Sequence, residues 1–433
     1  MGHHRTEARL LIAKALAGLL LLFWGLPASY AQQPPRSAEL KYVVVLTRHG
    51  VRSPTWTPER LNEYSAAHWP DWGVPPGHLT PHGRALVGLM GKFYREYFAA
   101  RGLLGKPGCG DASRTYFWAD TDQRTIETAR SLAETIVPGC KIDVHSVGEG
   151  EDDPLFDPIA AGLVKPDNTL AHAVVAARLG PKPESIIEAH RSAFDALDHI
   201  LNGNGKASKS IFDEPVSLAS GKAGVSMTGP LALASTLSED FLLEYTNGMK
   251  GSQLGWGRLD AANLLQIMSL HTTYADLMRR TPYLARQRSS NLMSHVLSSM
   301  EQAVTGKPVK GSIGSEGVGL LVVSGHDTNL SNLSGMLGLS WMLPTYQPDD
   351  TPPGGALILS LWRSAASAYS VRLQFVAQTL DQMHSATTLS AASPPAMTDV
   401  FVPGCSTAQE GWSCEWQRFR QIVQASIDPA AVR

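Results

Sequence analysis

The segment Thr47–Pro54 holds one imidazole between two guanidinium groups, in the order Arg48, His49, Arg52. Two permanently charged guanidinium groups four residues apart suit a phosphate dianion, because their planar forks match phosphate oxygens bidentately. A histidine among such arginines can attack phosphorus and form a covalent phosphohistidine. These residue types and their spacing therefore predict chemistry on phosphate esters.

A second candidate pair, His326 and Asp327, lies in the motif Ser324–Asn329. His326 can donate a hydrogen bond to a phosphoryl oxygen. Asp327 can give a proton to the leaving alcohol and then, as a carboxylate, activate water. A carboxyl group beside a phosphate has a reason for a raised pKa. We therefore expect a protonated Asp327 and an acidic pH optimum.

A third candidate is Arg124, in the segment Asp120–Thr125. It stands about one turn into a predicted helix, where the helix N-terminus favours an anion. The alternative for Arg124 is a surface ion pair with Asp120 or Asp122. Beside the other two motifs, it predicts a third cation for the phosphate.

Each of these groups follows a strand-like run of residues, namely Tyr42–Leu46, Thr115–Ala119 and Leu320–Ser324. Ligands in open α/β sheets bind beyond the carboxyl ends of the strands, so the three groups are expected to converge. Further strands are predicted at Lys141–Ser146, Ala356–Trp362 and Ser370–Gln378, the last two as an antiparallel hairpin. Interspersed helical patterns at Pro81–Ala100 and Gln123–Ile136 favour an α/β fold with a mostly parallel sheet and helices on both faces.

Residues from about 152 to 285 show no convincing strand pattern. A helix is predicted after Thr228, which is its N-cap candidate, and a second one over Ala261–Arg279. We expect an inserted, mainly helical cap domain at 151–289, within an α/β domain formed by 38–150 and 290–433. The Gly-, Ser- and Lys-rich region Asn202–Gly224 is predicted to be a mobile loop.

Residues 1–31 have the pattern of a secretory signal, with a basic start, an apolar stretch and the small-residue site Ser29-Tyr30-Ala31. Removing them takes away three basic residues and one acidic residue. The remaining 34 basic and 38 acidic residues give a net charge of −4, which argues against a nucleic-acid partner. We expect a periplasmic or secreted, monomeric protein without a membrane span. No cofactor or metal is expected, because arginines replace the cation and no zinc-like ligand spacing occurs.

The motif from Arg48 to Pro54, R-H-G-V-R-S-P, resembles the signature of the histidine acid phosphatases, the larger-domain branch of the histidine phosphatase superfamily. Their second signature is similar to the H-D-T-N run that starts at His326, and the similarity spans about Lys41 to Ile422. The sequence looks closest to the bacterial periplasmic phytases and acid phosphatases. This resemblance implies an acid phosphomonoesterase with His49 as nucleophile, Asp327 as proton donor, and Arg124 in an A-D-x-D-x-R pattern.

The resemblance also implies substrate-binding roles for four further residues: Thr55, Asp120, Glu239 and Arg288. An exposed helix charge remains the alternative for Glu239 and Arg288. Trp56 departs from the family, since phytases often carry lysine there. The substrate therefore stays open between inositol hexakisphosphate (phytate) and smaller esters such as sugar phosphates. A non-catalytic phosphate-binding protein is a third hypothesis, which the presence of both His49 and Asp327 disfavours.

Four cysteines allow three pairings, and secretion favours disulfides over free thiols. Cys405 and Cys414 are close in sequence, which favours a local bond and leaves Cys109 with Cys140. The resemblance to the periplasmic phytases implies the same two pairs. The remaining histidines lack a catalytic context and are interpreted as structural or surface residues, among them His145, His271 and His295.

Overall fold

A mixed β-sheet runs through the centre of the protein, and its buried first strand leads directly into the arginine–histidine motif. The computed structural model describes residues 38–148 and 150–433, and residues 39–433 form one compact unit. The predicted signal at 1–31 lies outside the described residues. The strands are β1 (Glu39–Arg48), β2 (Thr115–Ala119), β3 (Val144–His145), β4 (Ser217–Gly221), β5 (Gly224–Thr228), β6 (Leu320–Gly325), β7 (Ala356–Arg363), β8 (Tyr369–Ala377), β9 (Ala396–Val400) and β10 (Cys414–Glu415).

Helices cover both faces of this sheet. They are α1 (Pro58–Asn62), α2 (Pro81–Ala99), α3 (Gln123–Ile136), α4 (Asn168–Leu179), α5 (Ser185–Ala189), α6 (Arg191–Asn202), α7 (Pro230–Thr246), α8 (Ala261–Met278), α9 (Pro282–Thr305), α10 (Asp327–Leu337), α11 (Leu380–His384) and α12 (Trp416–Ser426). Short 3₁₀ helices span Cys109–Arg114, Gly251–Gln253, Gly255–Gly257, Glu410–Trp412 and Pro429–Ala431.

The sheet order is β10-β8-β7-β1-β6-β2-β3, with β9 beside β8. Strands β1, β6, β2 and β3 are parallel to one another, whereas β7 is antiparallel to β1 and the pairs β7–β8, β8–β9 and β8–β10 are also antiparallel. The α/β class is confirmed, and so is the hairpin of β7 and β8. The helix predictions for α2, α3 and α8 hold to within one residue at either end.

The alternation of β1 explains why both faces of the sheet need helices. Val43 and Val45 belong to one buried cluster, which contains side chains of α2 and α3. Val44 and Leu46 point into the other cluster, together with side chains of α9 and α10. Because successive side chains of a strand point to opposite faces, a strand that is apolar at every position must be buried on both.

The helical region between β3 and β6 contains a hairpin that the sequence interpretation missed. Strands β4 and β5 pair antiparallel from Ser217↔Thr228 to Gly221↔Gly224, inside the region predicted to be strand-free. The prediction of a mobile loop over Asn202–Gly224 is therefore wrong for its final part. Gly, Ser and Ala have weak strand propensity, so their run did not indicate a ladder.

Two local predictions also need correction. Thr228 ends β5 and does not cap α7. Instead Gly229 precedes Pro230 with φ 90°, and a side chain there would collide with the Pro215 carbonyl. The strand predicted over Lys141–Ser146 is reduced to β3, which pairs only with β2 at the edge of the sheet.

Both predicted disulfides are present, Cys109–Cys140 and Cys405–Cys414. The first bond ties the start of a 3₁₀ helix to the segment that follows α3. In the described part of the chain, every helix is too short or too polar to cross a lipid bilayer.

Candidate active site

The two sequence motifs meet because β1 and β6 are adjacent parallel strands. Arg48 is in register with Gly325, and the His49 amide donates to the Gly325 carbonyl at 2.9 Å. Their carboxyl ends therefore coincide at one edge of the sheet. The rings of His49 and His326 lie edge to face, with centroids 5.5 Å apart.

The His49 imidazole is held as a neutral nucleophile. Its Nδ1 lies 2.8 Å from the Gly50 carbonyl oxygen, which can only accept, so Nδ1 carries the proton and Nε2 keeps its lone pair. Burial lowers the pKa of His49 well below its ordinary value, and the charges of Arg124, Arg48 and Arg52 lower it further.

Glycine is required at position 50 by close packing. A Cβ atom at position 50 would lie only 2.6 Å from the Val87 Cγ2 atom on α2. The Gly50 amide also donates to the Thr128 hydroxyl on α3 at 2.9 Å. These contacts fix the loop that presents His49.

Arg48 and Arg52 share one carboxylate, that of Glu239 on α7. Arg48 Nη2 pairs with Glu239 Oε1, and Arg52 Nη2 lies 3.1 Å from Glu239 Oε2. Arg48 Nη1 also donates to the Thr351 carbonyl at 2.7 Å. Burial raises the pKa of Glu239, but the two arginines outweigh burial and lower that pKa to about 2. Glu239 is a buried anion that orients both guanidinium groups, not an exposed helix charge.

Arg124 stands in the first turn of α3 and faces the second motif. Its Nη2 lies 3.5 Å from His326 Nδ1, and its Nη1 donates to the Gly77 carbonyl at 3.3 Å. It also pairs with Asp122 at 2.6 Å. Arg124 therefore forms the predicted ion pair with Asp122 and also lies beside His326, as the convergence of the motifs predicted.

His326 bridges Arg124 and Asp120. Its Nε2 lies 2.7 Å from Asp120 Oδ2. Because a guanidinium group cannot accept, Nδ1 accepts from Arg124 and Nε2 donates to Asp120. Asp120, predicted as a substrate-pocket acid, contacts this ring and so sets its tautomer.

Asp327 is the first residue of α10. Its Oδ2 pairs with Arg279 Nη1 and lies 4.0 Å from His271 Nε2. Burial raises the pKa of Asp327, but Arg279, Arg48 and His271 outweigh burial and hold that pKa well below its ordinary range. In the protein alone these cations favour the carboxylate, and the expectation that a neighbouring phosphate keeps Asp327 protonated stays a prediction.

Comparisons with known proteins agree with this geometry. The sequence model of the histidine phosphatase superfamily (branch 2) matches residues 39–376. The chain belongs to the histidine phosphatase superfamily. It is a hydrolase that acts on phosphate esters.

This histidine phosphatase is similar along most of its length to several characterised relatives. It is 34% identical to the phytase AppA of Escherichia coli (strain K12), over 93% of this chain and 95% of that protein. It is 26% identical to the glucose-1-phosphatase of Providencia rettgeri, over 90% and 92% of the two chains. The Hafnia alvei phytase in complex with tartrate superposes with a TM-score of 0.85 at 34% identity, covering 92% of this chain and 99% of that one.

Two residues of this histidine phosphatase's site, Arg279 and His271, were not predicted from sequence. His271 had been interpreted as a structural or surface residue, yet it is buried against Asp327 and contacts Ser235 at 3.2 Å. Arg279 directly follows α8 and lay in no recognised motif. Only the packing of α8 beside α10 brings them to Asp327, so no local pattern indicated their role.

The remaining predicted pocket residues lie at the rim of the phosphatase site. Thr55 is exposed and lies beside Gly77, the residue that accepts from Arg124. Trp56 is partly buried, and the Arg60 guanidinium stacks 3.7 Å from its ring centroid. Arg288 on α9 is partly buried and donates to the Ala223 carbonyl at 3.4 Å. Arg60 thus brings a cation close to the place where phytases often carry lysine.

Two groups of acids and histidines in the phosphatase have metal-like spacing. Asp120, Asp122 and His326 form one, and Glu239, His271 and Asp327 form the other, with ligand atoms within 4.8 Å in each. Arg124 pairs with Asp122, and Arg279 pairs with Asp327. These guanidinium charges oppose a metal cation at both places. The absence of a metal requirement remains a prediction.

Proposed function

We propose that this chain is an exported acid phosphatase that hydrolyses inositol hexakisphosphate through a phosphohistidine at His49. The observation that carries the proposal is a neutral, buried His49 whose Nε2 keeps its lone pair and whose ring feels the charges of Arg48, Arg52 and Arg124. The ring of His326, which directly precedes Asp327, lies 5.5 Å away. A binding protein needs the arginines, but it needs neither an oriented nucleophile nor a carboxyl group at the start of α10.

In the first chemical step, His49 Nε2 attacks phosphorus and the ester P–O bond breaks. The three arginines neutralise the charge on the phosphoryl oxygens, and such preorganised charge supplies much of the rate in phosphoryl transfer. The leaving oxygen takes a proton from the carboxyl group of Asp327. The products are a phosphohistidine, the free alcohol and an ionised Asp327.

In the second step, Asp327 removes a proton from a water molecule that attacks the phosphohistidine. The N–P bond breaks, inorganic phosphate leaves, and His49 Nε2 regains its lone pair. Asp327 is again protonated, so the cycle is balanced.

The proton on Asp327 comes from acid conditions together with the substrate. A phosphate monoester has a second pKa of about 6, so below that pH it arrives carrying a proton. The phosphoryl charge also offsets Arg279 and Arg48, which otherwise hold the pKa of Asp327 low. Both effects favour an acidic optimum.

Inositol hexakisphosphate is the favoured substrate because the site's surroundings are rich in cations. Arg60 stacks on Trp56 at one side, and Arg279 and Arg288 line the other. The phytase relatives at 34% identity support the same choice. The second candidate is a small sugar phosphate, which Trp56 favours because an indole can stack on a sugar ring, and which the glucose-1-phosphatase relatives support.

The remaining proposals concern the whole chain. We infer export to the periplasm or medium from the predicted signal and from both disulfides, since disulfides persist in oxidising compartments. The division into an α/β domain and a cap at 151–289 is supported by the helices and hairpin of that segment. A monomer is expected, to be checked by size-exclusion chromatography with light scattering.

The test of the function is phosphate release at about pH 4–5 in the presence of a chelator. Inositol hexakisphosphate, glucose 1-phosphate and p-nitrophenyl phosphate are compared, with His49→Ala as control. The proposal predicts the highest kcat/KM on inositol hexakisphosphate and a loss of about 10⁴-fold or more in the variant, because the nucleophile is gone. Highest activity on glucose 1-phosphate would favour the sugar-phosphatase alternative, and no release from any ester would leave a binding protein.

A further inference from the structure

A buried acid that the proposed reaction does not use stands next to Glu239 on α7. This residue is Asp240, and it is only 2% exposed. It directly follows Glu239, whose carboxylate pairs with Arg48 and Arg52. The Oδ2 atom of Asp240 is buried and has no hydrogen-bond partner among the residues that the structure describes. A buried acceptor without a partner costs folding free energy, so its presence beside the site calls for an explanation.

Arg52 has a buried donor that is likewise unused. Its Nη2 lies 3.1 Å from Glu239 Oε2, and its Nη1 donates to the Ser53 carbonyl at 3.0 Å. Within residues 38–148 and 150–433, the Nε atom of Arg52 is buried and has no hydrogen-bond partner. The charge of Arg52 acts on Asp240. The two side chains therefore lie close enough to interact, and each keeps one buried polar atom unused.

The charge of Asp240 depends on burial and on three neighbouring groups. Burial raises the pKa of Asp240 to about 8, the Arg52 cation lowers it in part, and the Glu239 carboxylate raises it. Glu244, one turn further along α7, is a second buried acid, and the charge of Asp240 raises the pKa of Glu244. Asp240 is therefore neutral in acid and becomes a carboxylate in alkaline medium.

Ionisation of Asp240 changes the net charge of the group that surrounds Arg52. In acid, the Glu239 carboxylate alone opposes Arg48 and Arg52, so these three side chains carry one positive charge in total. Once Asp240 is ionised, two carboxylates oppose the two guanidinium groups, and the net charge is zero. A phosphate dianion is attracted to a positive group of side chains and not to a neutral one.

We propose that Asp240 is a positioning residue whose ionisation draws Arg52 away from the phosphate and weakens phosphate binding at alkaline pH. The inference rests on the proposed function, in which Arg52 contacts the phosphoryl group. The role of Asp240 is separate from that of Asp327, because Asp327 transfers protons, whereas Asp240 sets the affinity for the phosphoryl group. The coupling is reciprocal, so bound phosphate keeps Asp240 protonated to higher pH.

The test is the dissociation constant of inorganic phosphate, measured by isothermal titration calorimetry at about pH 6 and about pH 9. The parent protein is compared with Asp240→Asn, since asparagine has nearly the shape of aspartic acid but stays neutral at both pH values. The two proteins should bind phosphate equally at the lower pH. At the higher pH the parent should bind about three- to tenfold more weakly than the variant, the effect of one added negative charge near the phosphate. The comparison at each pH cancels the titration of phosphate itself.

Glu244→Gln is the matched control. Glu244 is a buried acid of the same helix, but its pKa is set by burial, the Gly255 amide and Asp240 rather than by Arg52. This variant should keep the alkaline loss of affinity that the parent shows. Circular dichroism at both pH values checks that each protein is folded.

Two results would overturn this inference alone, given normal phosphate binding at the lower pH. One is a dissociation constant that Asp240→Asn changes by the same factor at both pH values, as a merely structural role predicts. The other is an equal gain in Glu244→Gln. Phosphate that fails to bind at the lower pH would overturn the inference together with the role of Arg52. The readout requires no turnover, so the phytase proposal can fail while this one stands.

Discussion

Opposing influences act on the carboxyl group of Asp327. Burial favours its protonated form, whereas Arg279, Arg48 and His271 favour the carboxylate and prevail. Both protonation states are needed in turn, first to donate a proton and then to activate water. Arg279 therefore acts as a positioning residue that sets how acidic the medium must be for the first step.

Replacing Arg279 by glutamine should move the alkaline limb of the kcat profile to higher pH. Removing a cation that lowers the pKa of Asp327 lets the carboxyl group keep its proton to higher pH, and the limb marks the loss of that proton. The measurement is kcat against pH with inositol hexakisphosphate. Arg286→Gln, which removes an exposed cation elsewhere on α9, should leave the limb in place. A limb that stays fixed in Arg279→Gln would contradict the role of Arg279.

At the residue scale, the motifs predicted those site residues that lie within short, continuous segments of the sequence. Arg48, His49, Arg52, Arg124, His326 and Asp327 all converge, because each follows the carboxyl end of a strand in the parallel part of the sheet. Arg279 and His271 could not be predicted in this way. They reach Asp327 through helix packing. Such packing depends on contacts between segments that are distant in sequence, and not on the spacing of residues within a single segment.

At the scale of elements, α7 contains an unusual group of buried acids. Glu239 is neutralised by two arginines, but Asp240 and Glu244, one turn apart, have no cation of their own within bonding distance among the described residues. Burial raises the pKa of Asp240 to about 8, although Arg52 lowers it in part. Burial also raises the pKa of Glu244 well above its ordinary value. Both side chains are therefore neutral in acid.

These two acids make a contribution to stability that is present at acidic pH and is lost at alkaline pH. The folded-state pKa of Asp240, about 8, lies above an unfolded value of about 3.9, so its contribution is full below the unfolded pKa and is lost as pH rises through the folded pKa. Asp240→Asn should raise the unfolding free energy relative to the parent by about 5 kcal/mol more at pH 8 than at pH 4, since each pKa unit is worth about 1.4 kcal/mol. Urea unfolding at the two pH values measures this.

Asp152→Asn is the control for that prediction, because Asp152 is exposed and the substitution removes the same carboxylate. Asp152→Asn should change the unfolding free energy by the same amount at pH 4 and at pH 8. An Asp240→Asn variant whose difference from the parent is the same at pH 4 and pH 8 would show that Asp240 titrates normally in the folded protein.

Helices and strands were predicted correctly where the hydrophobic periodicity was strong. They were missed where the residues have a weak propensity for strands. The helical repeats of α2, α3 and α8 and the apolar runs of β1, β2 and β6 were visible in the sequence. The β4–β5 hairpin was not, because its strands are rich in Ser, Ala and Gly and it packs on α4 and α7 rather than on the main sheet. That missed hairpin lines a cleft of about 430 Å³, which Arg279 and Arg288 also line.

At the scale of the whole molecule, the site is assembled from segments about 280 residues apart. The sequence predicted an α/β sheet, but it could not tell which strands are neighbours. In the structure β1 pairs with β6, and this pairing puts His49 and His326 at the same edge of the sheet. The segment 151–289 then contributes Glu239, which pairs with Arg48 and Arg52, and Arg279, which pairs with Asp327, so residues far from either motif help to build the site.

The most direct test of the central claim is to trap the phosphohistidine. In Asp327→Asn, p-nitrophenyl phosphate should still phosphorylate His49, because p-nitrophenolate leaves without a proton, while hydrolysis of the intermediate is slow. Mass spectrometry after an alkaline quench, which preserves phosphohistidine, should find one phosphoryl group on the peptide that contains His49. The added substitution His49→Ala should abolish that label. A label on another residue, or turnover with an unlabelled His49, would contradict the account.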